Sequence, residues 1–180
     1  MKKLFCTLSI VACLFSLQSF ASENAQDEGK IIYMSTTNYQ SGLDLGLVQV
    51  KQNRYEEAFK TMMLYAQYGE KIAQYVVSTY LLSGKGTTQD VTQGLVWLAL
   101  ASEQEQVEWK DRFTSITSKL TPEQMAYLNE QIALSKAKYG AKAQFMFCAL
   151  EREKLGSNLQ VHRCKKYVNA QQEVKIRQFN

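Results

Sequence analysis

Proline and histidine are almost absent from this 180-residue chain, which contains one residue of each. Glycine is also sparse, at nine residues, and this composition argues against a loop-rich or collagen-like protein. A Ser-His-Asp or Cys-His catalytic site would have to depend on the single histidine, His162. Zinc normally needs four clustered ligands, so the same scarcity disfavours a metal site. We therefore expect no catalytic, metal-binding or cofactor-binding residues, and we do not expect an enzyme.

Long apolar runs are also missing, apart from one at the N-terminus. Lys2-Lys3 precedes the apolar run Leu4 to Leu17, and Ser19-Phe20-Ala21 provides the small residues that a signal peptidase recognises. This pattern predicts a signal peptide over residues 1–21 that is cleaved after Ala21. We therefore expect the mature protein to be periplasmic or secreted.

Two other interpretations of this N-terminal run stay open. The first is a retained membrane anchor, although the run is shorter than the roughly 20 apolar residues of a spanning helix. The second is a lipoprotein, because Ile10-Val11-Ala12-Cys13 is similar to a lipidation box with Cys13 as the modified residue. The apolar run continues past Cys13 to Leu17, which favours ordinary cleavage instead.

The chain has only four cysteines, and Cys6 and Cys13 would leave with the signal peptide. The remaining pair, Cys148 and Cys164, lies sixteen positions apart. Two thiols in an exported protein predict one disulfide bond. Closing a loop of this length stabilises the folded state by about 3 kcal/mol on the chain-entropy model. The alternative is a pair of unbonded, buried thiols.

Charge is distributed unevenly along the chain. Residues 22–135 carry 9 basic and 14 acidic side chains, whereas residues 136–180 carry 10 basic and 3 acidic side chains. The basic segment could contact an anionic lipid or glycan of the cell envelope, or it could simply be a solvated tail. Nucleic acid is not an expected partner of an exported protein. The candidate contacts for an anionic partner are Arg152, Lys154, Arg163, Lys165 and Lys166.

Apolar residues recur at spacings of three and four from Leu43 onward, which predicts a series of short helices. Residues that cap helices mark where several of them begin. Asn53 and Asp90 are candidate N-caps, and Thr121-Pro122 followed by Gln124 has the form of a capping box with proline at the first helical position. Short helices of this kind cannot bury an apolar face alone, so they are expected to stack.

These patterns divide the mature chain into three parts. Residues 22–42 begin with the polar stretch SENAQDEG and are predicted to be a flexible lead-in. Residues 43–140 form the predicted helical domain. Residues 141–180 form a basic C-terminal segment, which contains both remaining cysteines.

The segment from Tyr55 to Glu103 contains an Ala-Gln-Tyr run, a glycine-rich turn that ends at Asp90, and a tryptophan followed by small residues. This order resembles a Sel-one-like repeat, a relative of the tetratricopeptide repeat. Gly94 departs from the pattern, because the family usually has alanine there. The residues expected to shape the repeat are Ala66, Gly69, Ala73, Tyr75, Gly84, Gly86, Trp97 and Ala101.

The resemblance implies an all-α fold, a short α-solenoid of antiparallel helix pairs. It also implies a protein-interaction scaffold in the cell envelope, with another envelope protein or peptide as its partner. The aromatic side chains of the segment fit either a packed core or an exposed groove. They are Tyr65, Tyr68, Tyr75, Tyr80 and Trp97.

The C-terminal segment has a weaker resemblance. Cys148, Gly156-Ser157 and Cys164 follow an order similar to that of short exported proteobacterial proteins of unknown function, which brings no known activity. Leu159 and Val161 alternate with polar residues, as in a β-strand. We predict a small disulfide-closed hairpin that turns at Gly156-Ser157-Asn158.

Overall fold

The computed structural model describes residues 28–153 and 158–179. The predicted signal peptide, its alternatives at Cys13, and Lys154 lie outside the described residues. In the described part the elements are β1 (Lys30–Ser35), α1 (Thr36–Lys51), α2 (Tyr55–Gln67), α3 (Lys71–Ser83), α4 (Val91–Ala101), α5 (Val107–Thr117), α6 (Pro122–Tyr139), β2 (Met146–Arg152), β3 (Gln160–Lys166) and β4 (Glu173–Gln178), with a 3₁₀ turn at Ser102–Gln104.

Helices α1 to α4 stack in chain order, as the periodicity predicted, and α5 and α6 both pack on α4. Helix α2 packs against both α1 and α3, α3 packs against α4, and α4 packs against α5 and α6. Helix α4 is central, and its side chains are buried on nearly every side. A helix that is apolar all round belongs inside a core in this way. None of the helices described is long and apolar enough to cross a membrane.

Gly94 lies on α4 where the helix meets α3. A Cβ atom at this position would lie 2.8 Å from Cγ of Leu82. Methyl and methylene groups cannot approach that closely without displacing one another. The Leu82 side chain on α3 therefore explains why glycine, and not alanine, occupies position 94.

Two of the three predicted helix starts are confirmed. The Asp90 side chain accepts a hydrogen bond of 2.9 Å from the Gln93 N–H and caps α4. Thr121 and Gln124 form the complete capping box of α6. The prediction for Asn53 is wrong, because this residue adopts a left-handed conformation (φ 58°) and its side chain accepts a hydrogen bond from the Tyr55 hydroxyl.

The all-α prediction is wrong in part, because two small antiparallel sheets accompany the helices. Strand β1 pairs with β4, so that Ile32 lies opposite Ile176 and Met34 opposite Val174. The predicted flexible lead-in is corrected here, since residues 30–35 are a strand and α1 begins at Thr36. The physical cause is non-local: Val174 and Ile176 bury this face of β1 from the far end of the chain.

The predicted C-terminal hairpin and its disulfide are confirmed. Strands β2 and β3 are antiparallel, and Cys148 lies directly opposite Cys164. The two sulfur atoms are bonded at 2.00 Å. Gly156 and Ser157 of the predicted turn lie outside the described residues, whereas Asn158 is described.

The loop between α3 and α4 contains two glycines that differ in their surroundings. Gly84 and Gly86 both have left-handed φ angles, of 70° and 67°. A Cβ atom at Gly86 would lie 2.4 Å from the carbonyl carbon and oxygen of Tyr55, at the start of α2. At Gly84 the closest atom, Cβ of Gln89, would be 3.4 Å away. Gly86 is therefore required by both space and conformation, and Gly84 by conformation alone.

We predict that Gly86→Ala lowers the free energy of unfolding by about 2–5 kcal/mol, because it combines left-handed strain with a backbone clash. Gly84→Ala is the matched control and should cost only about 1–2 kcal/mol, the strain alone. Urea unfolding followed by circular dichroism measures both values. Equal losses in the two variants would show that the loop does not pack on α2 as described.

Candidate partner-binding site

The residues expected to shape the repeat lie in the helical core or its turns. The alanines among them are fully buried, and Trp97 is buried with them. Gly69 has a left-handed φ of 92°, and a Cβ there would lie 2.8 Å from Cβ of Gln144. Five aromatic residues were predicted to lie either in the core or in an exposed groove. Four of them, Tyr65, Tyr68, Tyr80 and Trp97, are buried in the core. Tyr75 is half-buried and stacks on Trp109 with ring centroids 4.7 Å apart.

A charged pair is buried where the helices meet the C-terminal segment. The Lys71 side chain is 1% exposed, and its Nζ lies 2.8 Å from Oε2 of Glu103. The same ammonium donates to Oε1 of Gln74 at 2.9 Å. Burial lowers the pKa of Lys71, and the charge of Glu103 opposes that effect. Burial alone would raise the pKa of Glu103, but the nearby Lys71 ammonium holds it below its usual value.

The Glu103 and Gln74 side chains also bind backbone groups of distant segments. Oε2 of Glu103 accepts a hydrogen bond from the Ala141 N–H at 2.8 Å. The Gln74 amide donates to the carbonyls of Ala66 and Tyr139 at 3.0 and 2.9 Å. We call Lys71, Gln74 and Glu103 the polar junction. It joins α2 and α3 to the end of α6 and to the start of the C-terminal segment.

Gln144 attaches the C-terminal strands to this region. The nitrogen of its buried side-chain amide donates to the carbonyls of Lys138 and Arg177 at 2.9 and 2.7 Å. The amide oxygen accepts a hydrogen bond from the Arg177 N–H at 3.2 Å. The side chain therefore pairs with the edge of β4 much as a neighbouring strand would. The Gln144 carbonyl accepts a hydrogen bond of 2.7 Å from the Lys166 ammonium.

The four predicted cationic contacts that the structure describes, Arg152, Arg163, Lys165 and Lys166, do not form one surface. Side chains alternate between the faces of the hairpin, and the buried Cys164 and Lys166 share the face that packs on the helices. The prediction that Lys166 contacts an anionic partner at the surface is wrong, because this side chain is only 9% exposed. Burial also lowers the pKa of Lys166 to about 7. Arg163 and Lys165 point to the opposite face, where Lys165 pairs with Glu151. Arg152 is exposed on the Lys166 side, at the far end of β2.

A first cavity lies between α1, the α2–α3 turn and the C-terminal strands. We call it the junction pocket, and its volume is about 290 Å³. The Tyr39 hydroxyl donates to Oε1 of Glu70 at 2.8 Å inside it. Burial raises the pKa of Glu70, although Tyr39 and Lys166 oppose that effect. Sequence reasoning missed this pocket, because no local motif connects Glu70 to Lys166.

A second and larger cavity, the hairpin groove, lies between the start of α5 and the β2–β3 hairpin. Its volume is about 770 Å³. Three aliphatic side chains in its walls are well exposed: Val107 at 67%, Leu150 at 64% and Leu159 at 57%. The carboxylates of Glu105 and Glu108 lie on the α5 wall.

Histidine 162 lies in the opposite wall of the hairpin groove. Within the described residues its Nδ1 atom is buried and has no hydrogen-bond partner. In the same part of the chain, no group of three or more His, Cys, Asp or Glu side chains is placed to hold a metal ion. The groove therefore offers exposed apolar side chains in its walls, with carboxylates beside them.

No protein-family model matches the chain, and no curated protein matches it. Among solved structures, it is similar to a protective antigen present in uropathogenic Escherichia coli strains that displays an SLR (Sel-one-like repeat) fold. The sequence identity is 22% and the TM-score is 0.49. The similarity covers 57% of this chain and 23% of the antigen chain, so the present chain spans about a quarter of that protein.

We predict that Glu103→Ala lowers the free energy of unfolding by about 3 kcal/mol, because it leaves the Lys71 ammonium buried without its counter-charge. The double variant Lys71→Met/Glu103→Ala should lose less, since it removes the buried charge as well. Chemical denaturation of the three proteins measures the difference.

A matched control comes from Glu57, which pairs with Arg54 on the exposed surface of α2. Glu57→Ala should cost less than about 1 kcal/mol. If Glu103→Ala costs no more than this control, the polar junction does not hold the fold together.

Proposed function

We propose that this protein is an exported binding scaffold and that its hairpin groove holds a segment of another envelope protein. The observation that carries the proposal is the convergence of Val107, Leu150 and Leu159 in one groove. Single exposed aliphatic side chains are ordinary on protein surfaces. A group of them that lines a concave surface is typical of an interaction site.

The chemistry of the groove indicates what kind of segment it would hold. Glu108 forms no ion pair with any of the residues described, and Glu105 pairs only with Lys110 on the surface. A lysine or arginine of the partner could therefore reach Glu108 without breaking an existing pair. We infer a partner segment that places an apolar side chain between the groove walls and a basic residue beside α5.

The groove walls are held in place before a partner arrives. One wall belongs to the hairpin, which the Cys148–Cys164 disulfide closes. The Sγ atom of Cys164 also lies 3.7 Å from the carbonyl oxygen of Glu103, a residue of the polar junction. A preformed groove loses less conformational entropy on binding than a flexible one, which favours binding.

Export of the protein is part of the same proposal. The disulfide supports it, because such bonds persist in oxidising compartments and are rare in the cytosol. The predicted signal peptide over residues 1–21 supports it independently. The resemblance of residues 55–103 to a Sel-one-like repeat is consistent with a scaffold that carries no catalytic centre.

The alternative of an anionic lipid or glycan partner has less support. Such binding would need the cations of the C-terminal segment on one surface. Lys166 is buried, Lys165 is paired with Glu151, and Arg163 lies on the other face of the hairpin from Arg152. We therefore propose a protein partner and not a lipid or glycan.

The groove proposal predicts the outcome of a peptide selection. Peptides selected from a displayed random library against the oxidised protein should combine an aliphatic or aromatic residue with a nearby lysine or arginine. Leu150→Lys or Val107→Lys should weaken the binding of a selected peptide by about tenfold or more, because each puts a charge among the apolar side chains of the groove. Fluorescence anisotropy of the labelled peptide measures the affinity.

The control is Leu134→Lys, which changes an aliphatic side chain of similar exposure (58%) on α6, outside the groove. It should leave peptide affinity unchanged. Enrichment of acidic peptides, or equal sensitivity to Leu134→Lys and Leu150→Lys, would contradict the proposed site.

Export is tested separately by intact-mass measurement of the protein recovered from the envelope fraction of a bacterium that expresses the full chain. The expected mass is that of a chain beginning at Ser22, less two hydrogens for the disulfide. A mass that retains residues 1–21, or that includes a lipid on Cys13, would overturn the proposed cleavage.

A further inference from the structure

The junction pocket contains two oppositely charged side chains that do not bind each other directly. Glu70 comes from the α2–α3 turn, and Lys166 comes from the end of β3. Each is held by one other group: Tyr39 donates to Oε1 of Glu70 at 2.8 Å, and Lys166 donates to the Gln144 carbonyl at 2.7 Å. No ion pair joins Glu70 to Lys166 within the part of the chain that the structure describes.

Both groups line the pocket and keep bonding capacity that Tyr39 and Gln144 do not use. An ammonium group has three N–H donors, and Lys166 uses one of them on Gln144. A carboxylate accepts on two oxygens, and Tyr39 occupies only Oε1 of Glu70. Charged groups removed from water are stable only when they are paired and hydrogen-bonded. A ligand that meets both groups would therefore gain two charge-assisted hydrogen bonds.

The remaining walls of the pocket are mostly apolar. Leu43, Val168 and Val174 line it together with Tyr39 and Cys164, and the polar residues Thr36, Gln40 and Lys165 complete the lining. A volume of about 290 Å³ is at the small end of the range for ligand sites. Lys166 is only 9% exposed, so it is a buried part of the pocket lining and not a surface charge.

We propose that the junction pocket binds a small zwitterion, of which a free amino acid with a short apolar side chain is the chemical type. Its carboxylate would accept hydrogen bonds from Lys166, and its ammonium would donate to Glu70. A simple anion is repelled by Glu70 and a simple cation by Lys166, whereas a zwitterion meets both charges and adds none. The apolar walls would contact its side chain.

This inference does not depend on the proposed function of the hairpin groove, since the pocket uses a different set of walls. The first test uses the unmodified, oxidised full chain. Glycine, L-alanine and L-valine are the zwitterionic probes, isobutyrate is the carboxylate-only probe, and isobutylamine is the ammonium-only probe. Nuclear magnetic resonance titration reports both affinity and location, through shifts at Leu43, Val168 and Val174.

Saturable binding of L-valine or L-alanine with shifts confined to these pocket residues is the expected result. Isobutyrate and isobutylamine should bind about tenfold more weakly or not at all, because each satisfies only one of the two charges. The proposal is overturned if no amino acid produces saturable shifts, or if the single-charge probes bind as well as the amino acids.

Two variants then assign the contacts. Glu70→Gln keeps the shape of the side chain and removes its charge, and Lys166→Met keeps most of its length and removes the ammonium. Each should weaken L-valine binding by about tenfold or more, whereas Lys142→Met, an exposed position outside the pocket, should leave it unchanged. Circular dichroism establishes that the variants fold. If either pocket variant is unfolded, the probe series on the unmodified chain decides the question alone.

Discussion

The buried ammonium group of Lys71 is the constraint on which the rest of the structure depends. A charge in a core needs a counter-charge within reach, so Glu103 must sit against the start of α3. Glu103 in turn accepts the Ala141 N–H, which fixes where the chain leaves α6 and begins the C-terminal strands. Such a network favours one arrangement of these segments, because any shift would leave a buried polar group without a partner.

Both cavities follow from that constraint. The hairpin groove has one wall on α5 and the other on the β2–β3 hairpin. The junction pocket has Glu70 on the helical side and Lys166 on the hairpin side. Neither cavity belongs to the helical stack alone or to the hairpin alone. The polar junction and Gln144 therefore do more than stabilise the core, since they set the distance between the two walls of each cavity.

The features that could be predicted from the sequence are those with local causes. Asp90 and Thr121 cap helices through residues three positions away. The disulfide was predicted from the two cysteines that lie outside the predicted signal peptide. The prediction of Asn53 as an N-cap was wrong, because asparagine favours left-handed turns as well as helix caps. Here it adopts the left-handed conformation, and its side chain accepts a hydrogen bond from the Tyr55 hydroxyl. Strand β1 could not be inferred, since its partner lies at the other end of the chain, and the burial of Lys166 depends on the register of the hairpin.

The pairing of Lys30 with Gln178 joins the first and the last strand of the described residues. Each helix can pack against a neighbour soon after it is synthesised, but β1 cannot pair until β4, more than 130 residues later, has also been synthesised. Contacts between such distant segments are slow to form, because a long loop has to close first. Until then the apolar face of Ile32 and Met34 lacks Val174 and Ile176, the side chains that lie opposite it in the folded protein.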